Sequence, residues 1–457
     1  MLNLLHNRNF ARLFAGRLVT NIGDSIYFVA AMWLVWELTG DEFFTGLAGF
    51  LVLAPSGLQV LFGPLVDRWD LRRVLVGTQL LQGLLVLSVP LAAATGSLSV
   101  WLVLAVMPAL ALLNQLVYPA QTAAIPRLVE QDELVSANSM FALAYQGVDA
   151  VFNALAGVLV ALVGAVALFT VDAVTFAVAA ALFATLSVPR AEATGADIDT
   201  TPGVVPETPM PDPEAAPDGG QPPDETVSTA GEPDLDSATP DGQNGLSAYL
   251  TDLREGIAYL RGTFVVPMLV GSVVINFALG ATIAVLPSYG AHVGGAEGYG
   301  FLMAAFAIGI LLGALAASGL AGLAFGRLSV AAFLLSGVAW LAAVSVGWLP
   351  ATVTLFAIAF VPVGITNVLI VSVIQAVVPE SLLGRVTAVL GSASAVATPF
   401  GALAGGTAAS LFGPVPVVAV AGVGFLLLAG YVASVPSLRR LPAVGDIDTL
   451  AVDHVKV

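Results

Sequence analysis

The sequence predicts an all-α membrane protein with twelve transmembrane helices arranged in two six-helix halves. Of its 457 residues, 58% are hydrophobic and only 10% are charged, whereas a soluble domain usually carries about 25% charged residues. The mean hydropathy is +0.94. Because the bilayer core offers no water, backbone groups must bond within each segment, so the spans should be helices of roughly 20 apolar residues.

The distribution of basic residues supports a count of twelve. When the connections between spans are assigned alternately to two sides, all fifteen Lys and Arg fall on one side. The other side carries Asp41, Glu42, His292 and Glu297. Since cationic loops are retained in the cytoplasm, we predict a multi-pass protein of the cell membrane with both termini cytoplasmic.

Long apolar runs define the individual spans. They lie at 12–38, 43–66, 74–95, 99–122, 138–162 and 164–187, and then at 265–290, 297–320, 328–348, 351–377, 384–411 and 415–435. Several predicted outside connections are very short, which forces neighbouring helices to lie antiparallel. Residues 1–190 and 246–436 should therefore form the two halves, and residues 437–457 a cytoplasmic tail.

The segment 191–245 separates the halves and differs from them in composition. It holds ten Pro and thirteen Asp or Glu, with no Lys, Arg or aromatic residue. Such a segment cannot bury enough apolar surface to offset its ordering entropy, so we predict a disordered tether. A regulatory or partner-binding segment is the alternative. Ser247–Arg261 follows with apolar residues at helical spacing, which predicts an amphipathic helix on the cytoplasmic surface.

The acidic balance of the chain extends beyond that segment. The formal net charge is −16, and Lys456 is the single lysine. An excess of acids with almost no lysine is typical of proteins from salt-accumulating halophiles. A genome that favours arginine codons is the alternative explanation.

Short patterns repeat between the halves. Phe44-Thr45-Gly46 after the first span corresponds to Gly298-Tyr299-Gly300 after the seventh, at an offset of 254 residues. Ala156-Gly157 in the fifth span corresponds to Ala404-Gly405 in the eleventh, near an offset of 248. Two six-helix halves in the same orientation are typical of transporters built from a parallel repeat.

A charged motif follows the second span. It reads Gly63-Pro-Leu-Val-Asp67-Arg68-Trp-Asp70-Leu-Arg72-Arg73, which closely resembles the cytoplasmic loop signature of the major facilitator superfamily. The resemblance implies a latch between the halves when the cavity faces outward. In that role Gly63 permits close helix approach, and Asp67 faces the positive N-terminal end of the eleventh helix. The latch residues are Gly63, Asp67, Arg68, Arg72 and Arg73.

The rest of the chain, apart from the acidic segment, resembles the drug-exporter branch that includes macrolide-efflux proteins and the enterobactin exporter. The matching stretches include Trp33-Leu34-Val35-Trp36-Glu37-Leu38-Thr39-Gly40, the run from Pro126 to Ser139, and Gln375 to Val386. Two features depart from the branch. Leu71 stands where another Arg is common, and the fifth span lacks a clear Gly-Pro antiporter signature.

Three carboxylates fall well inside predicted spans: Asp24, Asp149 and Asp172. An intramembrane carboxylate costs at least ~2.5 kcal/mol on insertion scales, so it usually faces the bundle interior or a cavity. We predict that Asp24 and Asp149 carry the coupling ion, H⁺ or Na⁺. For Asp172, on a helix that is peripheral in the resembled fold, we favour a structural hydrogen bond to a neighbouring helix.

Polar and aromatic side chains on the helices that line the cavity in this superfamily predict a substrate chamber. The candidates are Asn21, Phe28, Asn114, Gln115, Tyr118, Tyr145, Asn153, Asn276, Asn367 and Gln375. The sequence shows no nucleotide-binding loop, metal-ligand cluster or hydrolytic triad, and it contains no cysteine. We therefore expect no enzyme activity, no cofactor, no bound metal and no nucleic-acid partner.

These features predict a secondary active transporter that works by alternating access, most simply as a monomer in the lipid bilayer. Export of an amphipathic, drug-like or macrolide-like molecule by antiport with H⁺ or Na⁺ is the leading interpretation. An importer of a polar metabolite is one alternative. A transport-inactive sensor or scaffold acting through the acidic segment is another.

Overall fold

The computed structural model describes residues 2–58, 69–187, 265–378 and 380–444. Within these ranges the regular elements are all helical, which confirms the predicted fold class. The latch residues Gly63, Asp67 and Arg68, the acidic segment 191–245 and the amphipathic stretch Ser247–Arg261 lie outside the described residues.

Eleven long helices and one short helix follow each other along the chain. They are α1 (Arg8–Thr39), α2 (Glu42–Leu53), α3 (Leu71–Ala94), α4 (Val100–Ala124), α5 (Leu134–Val163), α6 (Ala165–Ala184), α7 (Val265–Leu320), α8 (Phe325–Val346), α9 (Leu349–Val377), α10 (Glu380–Phe412), α11 (Pro414–Ser434) and α12 (Pro436–Arg439). A 3₁₀ turn at Ala54–Leu58 extends α2.

Helix α7 consists of two arms that meet at a glycine pair. Gly295 adopts a positive φ of 67°, and neither Gly294 nor Gly295 has helical backbone angles. The sequence predicts two spans here, at 265–290 and 297–320, and the break falls between them. Nine helices among the described residues, with α7 counted once, are long and apolar enough to cross a membrane. This arrangement is consistent with twelve spans.

The short connections lie together at one end of the bundle, which we call the turn end. Six connections between consecutive spans lie there, and each contains one glycine with positive φ, a conformation that glycine adopts without steric cost. These glycines are Gly40, Gly96, Gly164, Gly295, Gly347 and Gly413. The opposite end carries Arg8, Arg72 and Arg327, and we call it the arginine end.

The two halves contact each other mainly through two pairs of helices, α2 with α10 and α5 with α7, and α1 and α2 make smaller contacts with α7. Within the first half, α6 packs against α1 and α3; within the second, α7 packs against α9 and α10. Large apolar side chains cover the outer surface, as expected for a lipid-facing bundle. Among them, Leu84, Leu162 and Leu411 are 67%, 72% and 72% exposed.

Candidate ion and substrate site

Helix α1 carries the polar residues around which the site is built. Asn7 caps its N-terminus by accepting hydrogen bonds from the backbone amides of Asn9 and Phe10. Further along the helix, Arg17, Asn21 and Asp24 follow at spacings of four and three residues, which place them on one side of the helix. The sequence predicts this shared face.

Arg17 is buried, at 8% exposure, near the arginine end of the first half. Its Nε donates to Gln121 Oε1 at 2.8 Å and to Tyr145 OH at 3.1 Å. Tyr145 OH also donates to Gln121 Oε1. The guanidinium lies 5.6 Å from the centre of the Tyr145 ring, close enough for a cation–π contact. Arg17 thus joins α1 to α4 and α5 through neutral acceptors.

Asp149 on α5 is exposed and hydrogen-bonded to α1. Its Oδ1 accepts from Ser25 Oγ at 2.8 Å and from Asn21 Nδ2 at 3.3 Å. Asp149 also interacts electrostatically with Asp24. The two predicted coupling residues, on different helices, are therefore close together in the structure.

Asp24 is partly buried and belongs to a chain of polar side chains that crosses the first half. Asn114 on α4 lies close to the Asp24 carboxylate. The Asn114 Oδ1 accepts from Gln82 Nε2 at 3.3 Å, and Gln82 Oε1 accepts from Gln79 Nε2 at 3.2 Å. Both glutamines on α3 are completely buried. Arg17 is the cation that interacts electrostatically with Asp24.

The hydrogen bonding of Asp172 on α6 differs from the prediction. Its carboxylate is completely buried, and its Oδ1 accepts from Thr175 Oγ1 of the same helix at 3.2 Å. The predicted hydrogen bond to a neighbouring helix is absent from the described residues, and Asp172 Oδ2 has no hydrogen-bond partner among them. Asp172 instead interacts electrostatically with Asp24 across the contact between α1 and α6.

The candidates of the second half form a sparser group. Asn276 on α7 donates to the Ser272 carbonyl at 2.9 Å and accepts from Thr398 Oγ1 of α10 at 3.4 Å. Asn367 and Gln375, both on α9, are exposed. Within the described residues, the polar network therefore lies mainly in the first half.

The remaining cavity candidates lie on α1, α4 and α5. Phe28 packs against the core, and Tyr118 is 52% exposed. Gln115 donates to the Ala111 carbonyl of its own helix at 3.2 Å. The side chain of Asn153 lies outside the described residues, although its backbone belongs to α5.

Two latch candidates fall within the described residues, at the arginine end. Arg72 donates to the Ala184 carbonyl at the end of α6. The Arg73 backbone amide donates to Asp70 Oδ1, which caps α3. Both arginine side chains are exposed. The contacts of Arg72 join helices of the same half.

Sequence reasoning missed Tyr27, Gln79 and Gln82 as members of the polar network. Periodicity identifies the faces of single helices, but α3 was not expected to contribute polar residues to the interior. Polar side chains within an apolar run are the signal that could have identified them, because such side chains usually face the bundle interior. No group of three or more His, Cys, Asp or Glu suited to a metal ion occurs among the described residues.

A bundle of apolar helices in two repeated halves, with carboxylates gathered inside the membrane, defines a helical membrane transporter. The sequence profile of the Major Facilitator Superfamily matches residues 13–401. The chain belongs to this superfamily and is a transporter rather than an enzyme. None of the curated proteins compared with it matches its sequence.

Solved structures share the fold at low sequence identity. A bacterial homologue of the human lysosomal transporter Spinster, in an inward-facing and occupied conformation, has a TM-score of 0.62 at 14% identity, covering 93% of this chain and 95% of that one. A point mutant of the nucleoside transporter NupG has a TM-score of 0.62 at 13% identity, covering 93% and 99%. A bacterial metal transporter has a TM-score of 0.57 at 16% identity, covering 93% and 98%.

Proposed function

We propose that this protein exports amphipathic small molecules by alternating access, driven by an H⁺ or Na⁺ gradient, within the drug-exporter branch of the superfamily. It works in the cell membrane as a monomer with both termini in the cytoplasm. The observation that carries the proposal is the pairing of Asp149 with Asn21 and Ser25, beside Asp24.

Ion coupling follows from the position of these two carboxylates. A charged carboxylate inside the membrane is unfavourable unless it exchanges an ion or faces water. Asp149 is exposed and Asp24 is partly buried, so an ion that reaches Asp149 is also close to Asp24. Residues on α1 and α5 can then change their mutual hydrogen bonds when the ion binds or leaves.

The amphipathic character of the substrate follows from the aromatic side chains between the halves. Phe400 on α10 is 55% exposed and its ring lies 5.4 Å from that of Phe50 on α2, across the interface between the halves. Phe277 on α7 is 42% exposed. Exposed aromatic rings on helices that also carry polar groups such as Asn276 suit a molecule that has an apolar body and a few polar substituents.

Import of a polar metabolite is the second candidate, and Arg17 is the observation that favours it. Within the described residues, the hydrogen bonds of Arg17 go to the neutral side chains of Gln121, Tyr145 and Thr20. The guanidinium also interacts electrostatically with Asp24, and its hydrogen bonds to neutral groups leave further N–H donors for an anionic solute. An anionic metabolite is therefore the suitable polar test solute.

Transport by purified protein in lipid vesicles tests the proposal. We expect an imposed pH or Na⁺ gradient to drive movement of lipophilic cations or macrolides against their own gradient. Protein carrying Asp24→Asn should insert and fold but lose this coupling. Unaltered gradient-driven movement in that variant contradicts the coupling role. Gradient-driven movement of the anionic metabolite alone favours the importer.

The segments outside the described residues complete the proposal. Residues 191–245 serve as a tether between the halves, because their composition offers no apolar surface for packing. The motif from Gly63 to Arg73 serves as the cytoplasmic latch. Asp67 then accepts hydrogen bonds in the state that is closed at the arginine end and releases them when the cavity opens there.

A further inference from the structure

Helices α1 and α6 meet at Gly23, where the missing side chain leaves room for a carboxylate. A Cβ atom on Gly23 would overlap both Asp172 Oδ1 and Thr175 Oγ1. Asp172 therefore lies directly against the backbone of α1, one residue from Asp24. The carboxylate is 0% exposed, and its Oδ2 has no partner among the described residues.

The charges around Asp172 do not balance within the described residues. Asp24 is the charged group that interacts with it, and that interaction is repulsive. Asp24 itself faces Arg17 and, more weakly, Asp149. Arg17 can offset the charge of one of these two carboxylates. With both carboxylates ionised, one negative charge is left in the interior of the first half, where an uncompensated charge is strongly unfavourable.

Other oxygen atoms without partners lie around the same two carboxylates. Tyr27, one turn along α1 from Gly23, is 7% exposed, and its hydroxyl has no partner among the described residues. This hydroxyl interacts electrostatically with both Asp24 and Asp172. Gln79 Oε1, at the far end of the chain of amides that leads to Asp24, is also buried without a partner.

We propose that Asp24, Asp172 and Tyr27 form a binding site for one Na⁺ ion inside the first half of the transporter. The atoms around the site that can bind a cation are oxygens, the ligand type that hard cations prefer. A single positive charge balances the charge that Arg17 leaves uncompensated. A metal cation can bind several of the unpartnered oxygens at once, whereas a proton is shared by only two atoms.

The exposure of the carboxylates indicates how the ion reaches the site. Asp149 is exposed, Asp24 is partly buried and Asp172 is completely buried. An ion therefore passes Asp149 first, then Asp24, and reaches Asp172 last. This inference rests on the proposed ion coupling because both involve Asp24. It adds Asp172 and Tyr27, which the coupling proposal does not require.

Thermal unfolding of the purified full-length protein in detergent tests the site without any transport. We expect NaCl to raise the Tm saturably relative to choline chloride at the same ionic strength, because an ion that binds the native state stabilises it. The Na⁺-dependent rise should vanish in Asp172→Asn and shrink in Tyr27→Phe. It should persist in the control Asp41→Asn, at the turn end, where asparagine can still cap α2.

Three outcomes overturn the proposal. One is a Tm that is independent of Na⁺ but varies with pH, which indicates a shared proton. Another is stabilisation by Mg²⁺ or Mn²⁺ and not by Na⁺. The third is an undiminished Na⁺ effect in Tyr27→Phe. This variant loses only a hydroxyl group, so we expect it to fold even if Asp172→Asn does not. Vesicle transport separates the two proposals: Na⁺ binding without Na⁺-driven export supports the site and contradicts the coupling.

Discussion

Gly157 on α5 and Gly300 on α7 touch backbone to backbone across the two halves. A Cβ atom on Gly157 would overlap the Gly300 Cα. Gly46 on α2 and Gly406 on α10 meet in the same way, with 2.8 Å between a Cβ on Gly46 and the Gly406 Cα. Both contacts bring helices of the two halves together near the turn end, so the halves are closed against each other at this end.

Adding a methyl group at Gly157 should prevent this closure. Gly157→Ala places a Cβ inside the backbone of α7, and overpacking of this kind costs about 1–3 kcal/mol. We expect the population to shift towards a state that is open at the turn end. The chain has no native cysteine, so labelling of Phe28→Cys by a membrane-impermeant reagent from the turn side should become faster.

The same helix provides a matched control for this substitution. A Cβ on Gly147 meets nothing within 4 Å. Gly147→Ala should therefore leave the labelling rate of Phe28→Cys unchanged. Equal labelling of the Gly157→Ala and Gly147→Ala proteins would show that the glycine contact does not control closure.

The second glycine contact should behave in the same way because it is the counterpart of the first in the repeated halves. A Cβ on Gly406 would lie 2.5 Å from both the Gly46 Cα and the Glu42 carbonyl oxygen. Gly406→Ala should accelerate turn-side labelling of Phe28→Cys, whereas Gly391→Ala, with nothing within 4 Å of its Cβ, should not. If only one of the two contacts affects labelling, closure is asymmetric and this prediction is wrong.

The sequence repeat contains three of the four glycines in these contacts, but it did not predict the contacts. Its repeats matched Gly46 with Gly300 and Gly157 with Gly405, because equivalent positions carry equivalent residues. The structure joins Gly157 to Gly300 and Gly46 to Gly406 instead. Equivalent residues of two halves related by pseudo-symmetry cannot contact each other unless they lie on the axis. A repeat therefore identifies equivalent positions in the two halves, and only the packing shows which residues meet.

For the candidate site, the sequence identified residues on single helices but not the contacts between helices. Helical spacing placed Asn21 and Asp24 on one face of α1, and polar residues inside apolar runs identified Asp149 and Asn114. The approach of Asp172 to Asp24 was not predictable, because it depends on how α1 and α6 pack at Gly23. The residue pattern of one helix does not show which side chain of another helix packs against its glycine.

Neutralising Asp149 should uncouple transport without unfolding the protein. Asp149→Asn keeps an Oδ1 atom that can still accept from Ser25 and Asn21, but it removes the charge that an ion needs. We expect the variant to retain its Tm and to lose gradient-driven export in vesicles, while solute exchange down its own gradient persists. Gradient-driven export at the wild-type rate would remove Asp149 from the coupling mechanism. Asp41→Asn, outside the network, should transport normally.

Removing the charge of Arg17 should destabilise the first half. Arg17→Gln loses the Nε donor shared by Gln121 and Tyr145, and a hydrogen bond to a charged group contributes about 1.5–3 kcal/mol. The variant should therefore unfold at a lower temperature in detergent. Arg8→Gln, on the same helix but exposed at the arginine end, should unfold like the wild type.

The effect of Arg17→Gln on transport decides between the two candidate substrates. Export of a lipophilic cation should survive in folded Arg17→Gln protein, because losing a cation from the site does not weaken its attraction for another. An anionic solute that needs the guanidinium should no longer be transported, so selective loss of anion transport would favour the importer.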